Sequence, residues 1–308
     1  MKRSWKDYAI ISLKGMGMGA ADIVPGVSGG TIALIAGIYE EFVNTLKSFN
    51  LGAIKALKED GLKGFWAHIN GSFLVALVLG IGISLVSMVK LIKYLLEVHP
   101  VLIWSFFFGL IVASAIFVAK TITKWNITNI IGLIGGTVLI YWITSIVPAA
   151  TPNTWWAVLI SGAIAICAMI LPGISGSFIL VLLGKYAYII DSLSQFKLDV
   201  IALFGVGCVT GLLSFSHLLS WLLKHYHNLT MAILTGFMIG SLNKIWPWKE
   251  TLSYMTDRHG EQKPLEQINL LPQNFEGDNQ LAFAVVLAIV GFALIFVLEG
   301  LGKRFKKA

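Results

Sequence analysis

Hydrophobic residues fill long runs of this chain that contain no Asp, Glu, Lys or Arg. Such runs cover residues 69–89, 101–119, 200–223, 225–243 and 279–298. The stretch 125–184 is also uncharged, divided only by the turn Thr151-Pro152-Asn153-Thr154. Crossing a bilayer takes roughly 20 apolar residues at ~1.5 Å rise per residue. The pattern therefore predicts spans over 70–96, 100–119, 128–147, 200–223, 228–246 and 281–300. Two more apolar segments, 8–46 and 155–192, are each interrupted near the middle by a Pro-Gly-x-Ser-Gly element.

Composition agrees with a membrane chain. Of the 308 residues, 56% are hydrophobic and 13% charged, with a mean hydropathy of +0.80; a soluble domain carries about 25% charge. The start, Met1-Lys2-Arg3-Ser4-Trp5-Lys6, looks like the head of a signal peptide. Lys14 and Asp22 interrupt the apolar run that follows, so the N-terminus is expected to be retained. Cys167 and Cys208 lie in apolar segments and read as small buried hydrophobes. The net charge of +7 sits at span ends, which fits membrane topology and anionic headgroups rather than nucleic acid.

The chain also repeats itself. Ala21-Asp22-Ile23-Val24-Pro25-Gly26-Val27-Ser28-Gly29-Gly30 lies over Ala168-Met169-Ile170-Leu171-Pro172-Gly173-Ile174-Ser175-Gly176-Ser177, 147 positions on. The register continues through Gly37/Gly184 and Tyr39/Tyr186. After a gap taken up by the Lys-rich segment 50–69, it resumes with Gly80/Gly207, Ser87/Ser214 and Gly109/Gly236.

Charge placement orients the halves. Lys2, Arg3 and Lys6 place the N-terminus inside, and Lys47, Lys55, Lys58 and Lys63 place the first long loop inside too. The segment 8–46 must then enter and leave on one side. Its arms, 8–23 and 31–46, are each about 16 residues or ~24 Å, short of the ~30 Å core. A re-entrant hairpin fits. Three spans follow, so the second hairpin starts from the opposite face and the halves are expected to be inverted. The expected fold is thus an all-α polytopic membrane protein of two inverted repeats, 1–150 and 151–308, each a re-entrant hairpin plus three transmembrane helices. Lys303, Arg304, Lys306 and Lys307 place the C-terminus inside. The glycine-rich span 132–136 can pack within or between chains, so it fixes no oligomeric state.

Proline removes a backbone donor and glycine permits positive φ, so each Pro-Gly-x-Ser-Gly element breaks a helix inside the membrane. Such backbone is tolerated only within protein or beside a wet cavity. A new helix then starts at Gly29-Gly30-Thr31 and at Gly176-Ser177. Bare glycines and hydroxyls at a helix start attract phosphate or carboxylate. Broken helices of inverted repeats that meet at the midplane are typical of alternating-access carriers. The candidate binding residues are Pro25, Gly26, Ser28, Gly29, Gly30, Thr31, Pro172, Gly173, Ser175, Gly176 and Ser177, with Lys185 as a counter-charge. Intramembrane ionisable groups are costly, so Asp22, Glu40 and Glu41 are candidates for a coupling proton or cation. Glu40, Glu41 and Lys185 also fit a second reading, as headgroup-level residues at the hairpin mouths. His217 reads either as a satisfied interior histidine or as a proton relay. No metal site and no cofactor are expected, with H+ or Na+ coupling left open.

Asp22-Ile23-Val24-Pro25-Gly26-Val27-Ser28-Gly29-Gly30-Thr31 and Gly37-Ile38-Tyr39-Glu40, with Leu171-Pro172-Gly173-Ile174-Ser175-Gly176-Ser177 and Gly184-Lys185-Tyr186, resemble the bacterial polyprenyl-phosphate (undecaprenyl-phosphate) translocase family. The resemblance covers nearly the whole chain. It implies a carrier in the bacterial cytoplasmic membrane that returns undecaprenyl phosphate from the outer to the inner leaflet, for reuse in cell-envelope synthesis.

Two alternatives compete. Membrane-embedded undecaprenyl-pyrophosphate phosphatases use a similar Pro-Gly-x-Ser-Arg-Ser-Gly-x-Thr element, which Pro25 to Thr31 approaches without its arginine. Cleaving a phosphoanhydride calls for charge stabilisation by Arg or a metal. Arg3, Arg258 and Arg304 all lie outside the predicted membrane core, so a site that binds phosphate without cleaving it is expected. The other alternative is an ion-coupled carrier of a small soluble anion, or a channel.

Overall fold

The computed structural model describes residues 3–24, 27–146, 148, 151–256 and 262–305. Among them are thirteen α-helices and one two-stranded sheet. The first helix, α1 (Trp5–Ile23), starts at a reciprocal cap. Ser4 Oγ accepts from the Asp7 N–H, and the Asp7 carboxylate accepts from the Ser4 N–H. The chain reverses at the first Pro-Gly-x-Ser-Gly element and returns as α2 (Gly29–Ile35) and α3 (Tyr39–Lys47).

Sequence pattern predicts one returning arm over 31–46. The structure divides it, because Gly37 takes φ +68° and stops α2 after 7 residues. The second hairpin does the same. It consists of α8 (Trp155–Ile170), α9 (Gly176–Leu182) and α10 (Tyr186–Ser194), with a bend of 109° between the last two and Gly184 at φ +63°.

The Lys-rich segment forms a helix, α4 (Leu51–His68), broken at Gly61. Then come α5 (Gly71–Val98), α6 (Pro100–Ala119) and α7 (Ile127–Ser145), and after the second hairpin α11 (Leu198–His225), α12 (His227–Ser241) and α13 (Leu281–Phe305). Among the described residues α5, α6, α7 and α11 are each long and apolar enough to cross a membrane. At 28 residues, α5 and α11 each reach ~42 Å, more than the ~30 Å core. The helix α12 ends at Ser241, short of the expected 246, as the chain turns toward Pro247, which cannot continue a helix.

The chain is mostly helical, as expected, with one small sheet in addition. Strands β1 (Lys249–Thr256) and β2 (Gln262–Asn269) pair antiparallel in the acidic connection before α13, from Lys249 opposite Asn269 to Thr256 opposite Gln262. Leu252 and Tyr254 alternate with Thr251 and Ser253 in β1. That period of two is a strand signal hidden within a segment dominated by charge and turn residues.

The long helices associate in matched pairs. Helix α1 packs along α5 as α8 packs along α11, and α6 packs along α13 as α12 packs along α7. In the register of the repeat, α1 and α5 correspond to α8 and α11, and α6 and α7 to α12 and α13. Glycine makes the close approach possible in the first two pairs. A Cβ added at Gly80 would run into the Ser12 carbonyl, and one at its counterpart Gly207 into the Leu159 carbonyl. The outward faces stay apolar, with Val86 of α5, Val138 and Trp142 of α7, and Phe283 and Ile289 of α13 all exposed. A surface this apolar is stable against lipid chains.

Gly207→Leu is expected to pry α8 from α11 and cost about 2–3 kcal/mol or more, because the obstruction is backbone. Gly205→Ala, two residues away and meeting nothing within 4 Å, should be neutral or stabilising by about 0.5–1 kcal/mol. Thermal unfolding of the two detergent-solubilised variants measures both, and equal melting temperatures would refute the packing assignment.

Candidate functional site

The two hairpins meet tip to tip. In the first, Ser28 is in extended backbone just before α2, so its side chain turns back over the helix start. Ser28 Oγ accepts from the Gly30 N–H at 3.0 Å and donates across to the Leu171 carbonyl at 2.9 Å, with the Met169 carbonyl at 3.2 Å. In return, the Gly173 N–H donates to Thr31 Oγ1 at 3.1 Å. Gly30 lies so close to the Ile170 carbonyl that no side chain fits there. Each break leaves backbone groups without helical partners in an apolar setting, and each tip supplies them to the other.

Of the predicted binding residues, Ser28, Gly30, Thr31 and Gly173 therefore meet across the tips, with Gly29 beside them. Pro25 and Gly26 lie outside the described residues. The convergence is not symmetric. Ser28, Gly29, Gly30 and Thr31 are buried, as are Pro172, Gly173, Ser175 and Gly176, but Ser177 is exposed where its counterpart Gly30 is buried. At the second tip Ser175 and Ser177 share a hydrogen bond of 2.7 Å. Two hydroxyls bring two protons and their mutual bond uses one, so one O–H remains for a ligand.

Asp22 shows where the first tip spends its helix start. Its Oδ1 accepts from the Gly29 N–H at 2.7 Å, so a carboxylate of the chain itself occupies the position expected to hold an anion. Met169 occupies the equivalent position of the second half, and no carboxylate caps α9 there.

Lys185 departs from its expected role as a counter-charge. The residue is fully buried, and its ammonium donates to the Thr151 carbonyl, the Pro152 carbonyl and Asn153 Oδ1, each at 2.7 Å. All three N–H donors are used, so the side chain binds the 151–153 turn to the α9–α10 bend. Burying an ammonium is costly unless every proton is bonded, and the turn meets that requirement. Lys14 acts comparably on the first bend, donating to the Ala36 carbonyl at 2.7 Å.

Glu40 and Glu41 stand at the mouth of the first hairpin. Glu41 accepts from Arg3 at 2.7 Å and from Asn70 Nδ2 at 2.8 Å, while Glu40 lies 3.5 Å from His227. Both carboxylates are tied to neighbouring elements rather than to the tips. His217 is neither interior nor near a relay. It is exposed on α11, with Nδ1 2.7 Å from the Leu213 carbonyl. The turn of α11 directs Ser216, Leu219 and Ser220 inward and carries His217 to the outside.

A polar cavity of about 410 Å3 at the same mouth escaped the sequence reading. Glu40, Glu41, Asn44, Thr45, Ser48, His68 and Asn70 line it. Beside it Ser220 donates to Asn44 Oδ1 at 2.8 Å and Lys47 donates to Ser220 at 3.2 Å, joining α3 to α11. Positions 40, 41, 44, 45 and 48 repeat at helical spacing, a polar-face signal that was available in the sequence. No cluster of three or more His, Cys, Asp or Glu side chains suited to a metal occurs among the described residues.

Residues 18–263 match the family described as undecaprenyl phosphate translocase-like. A protein of Vibrio cholerae serotype O1 named polyprenyl-phosphate transporter is 50% identical over 297 residues, covering 95% of this chain and 96% of its own. A Staphylococcus aureus protein of the same name is 30% identical over 253 residues, covering 76% of this chain and 85% of its own. No solved structure matches the chain.

The bonding of Lys185 is directly testable. Lys185→Met removes three charge-assisted hydrogen bonds to the half-buried Thr151 and the exposed Pro152 and Asn153, and should cost about 1–3 kcal/mol. The 151–153 turn should become sensitive to proteolysis. A variant as stable and as resistant as the parent would show that Lys185 does not hold the turn.

Proposed function

The chain belongs to the undecaprenyl phosphate translocase-like family, and from that membership we propose that it carries undecaprenyl phosphate from the outer to the inner leaflet of the bacterial cytoplasmic membrane. The carried lipid is thereby recycled for cell-envelope synthesis. Transport proceeds by alternating access, with the phosphate bound at the joined tips and the prenyl tail left among the apolar outer faces of the helices.

One observation carries this reading: the tips are in contact but unequally covered. Ser28 and Thr31 of the first tip are buried and bonded across to the second, while Ser177 of the second, unlike its counterpart Gly30, is exposed. A carrier built from two equivalent halves has this asymmetry when its site faces one side of the membrane. In this reading the matched helix pairs are inverted repeats, with both termini cytoplasmic. The Glu40–Asn70 cavity then lies on the cytoplasmic side and Ser177 faces outward.

The same arrangement favours carriage over hydrolysis. The tips present hydroxyls and backbone N–H groups to a phosphate but no arginine, and Arg3 is engaged by Glu41 at the hairpin mouth. A transferring phosphoryl group needs more positive charge than that. Asp22 is the coupling residue in this scheme. A proton on its carboxylate weakens its hold on the Gly29 N–H, and the first tip becomes available to the lipid phosphate.

Depleting the protein should raise the undecaprenyl phosphate exposed on the outer leaflet, counted with an impermeant phosphate-binding probe. No rise would refute the carrier, and phosphate release from undecaprenyl pyrophosphate by the purified protein would favour the enzyme instead. Asp22→Asn keeps an acceptor for Gly29 but cannot exchange a proton. Its transport rate in proteoliposomes should be flat with pH where the parent's is not, and matching pH profiles would remove Asp22 from coupling.

A further inference from the structure

Lys244, which the sequence pattern places at the end of the span 228–246, lies beside the second tip, and Lys249, from the connecting loop, lies against it. Lys244 follows the end of α12 and Lys249 begins β1. The Lys244 ammonium sits 5.0 Å from the ring centre of Phe178, the residue after Ser177. The Lys249 ammonium sits 3.9 Å from the ring centre of Trp104 on α6 and donates to the Lys244 carbonyl. Aromatic packing holds the strand base in place. Trp246 stacks edge-on against Phe108 at 5.5 Å and Trp248 at 5.6 Å, and its Nε1 donates to the Leu270 carbonyl at 2.8 Å.

No carboxylate pairs with either lysine among the described residues. Burial lowers the pKa of both, and the nearby Lys244 charge lowers that of Lys249 further. Placing two like charges together in a poorly hydrated site is unfavourable, and attraction to a ring face is small beside the cost of dehydrating two ammonium groups. A role confined to anchoring the β-hairpin would be met by a neutral side chain against Trp104. It would not call for a second cation over Phe178. A dianion between the two ammonium groups and the Ser177 hydroxyl resolves both the repulsion and the desolvation.

We propose that Lys244 and Lys249 form an anion site for a phosphate monoester, receiving the headgroup of the carried lipid on the Ser177 side of the joined tips. The lipid identity of the ligand rests on the carrier reading above; the anion site does not. Lysine suits this task, since an ammonium on a flexible stem can pass a phosphate on, whereas a rigid bidentate guanidinium clamps it.

The test uses the full-length protein in lipid nanodiscs with two probes, undecaprenyl phosphate and inorganic phosphate, and variants K244Q/K249Q and K244R/K249R. The Gln pair should weaken undecaprenyl phosphate binding by about tenfold or more, as expected for lost charge-assisted hydrogen bonds. The Arg pair should stay within about threefold of the parent, since the charge is kept. Melting temperatures without ligand are read alongside. If the Gln pair does not fold, K244Q replaces it, because the Lys244 ammonium makes no hydrogen bond among the described residues. A loss of about threefold or more is expected there. Parental affinity in a folded Gln variant overturns the site while leaving the carrier intact. Lysine-dependent binding of inorganic phosphate without lipid binding keeps the anion site and overturns its lipid assignment, together with the carrier reading. Binding of neither probe by the parent overturns the site.

Discussion

Backbone polar groups cannot be left unpaired in an apolar interior, and this chain breaks its helices there twice. Everything near the centre follows from how those breaks are satisfied. Ser28 reaches the Leu171 carbonyl, Thr31 receives the Gly173 N–H, and Asp22 takes the Gly29 N–H. Asp22 satisfies Gly29 within the first tip, but the Leu171 carbonyl and the Gly173 N–H are satisfied across the tips. The two hairpins are therefore obliged to meet, and the long helix pairs are arranged around that meeting point.

The same requirement bears on the carrier cycle proposed above. A cross-tip hydrogen bond is worth about 1 kcal/mol net, but leaving its buried partners unpaired costs about 1–3 kcal/mol each. In the proposed cycle, tips that separate would exchange these bonds for others, and a phosphate with several acceptor oxygens would accept from the Ser28 hydroxyl and the glycine N–H groups. The glycine-packed pairs α1–α5 and α8–α11 would then provide the frame of that cycle, and the short helices α2 and α9 the parts that change partners. The bends at Gly37 and Gly184, held by Lys14 and Lys185, separate the two.

Charge is distributed to match. One mouth holds carboxylates, amides and hydroxyls around a polar cavity, while the flank of the open tip holds two lysines without carboxylate partners among the described residues. An anion arriving at Ser177 meets positive charge first and the acidic mouth last. For the carriage proposed above, that gradient would favour capture at the Ser177 side. It is a feature of side-chain placement and is absent from the backbone repeat, because Lys244 and Lys249 have no basic counterparts at the matching positions of the first half.

The sequence by itself determined the membrane character, the two broken hairpins, the glycines that let helices touch and the family. Each depends on residues close together in the chain: runs without charge, Pro and Gly at a break, small residues at helical spacing. Only the tertiary structure decided which groups those residues address. Ser28 and Leu171 are 143 positions apart, and nothing local tells the hydroxyl to bond there rather than to a ligand. Lys185 turned to the 151–153 turn and His217 to the outside of α11, because the rotation of a helix about its axis is set by its neighbours. The strand hidden in the acidic connection brought Lys249 onto Trp104. Local chemistry marks where a chain can break, and long-range packing chooses the partner that the broken ends find.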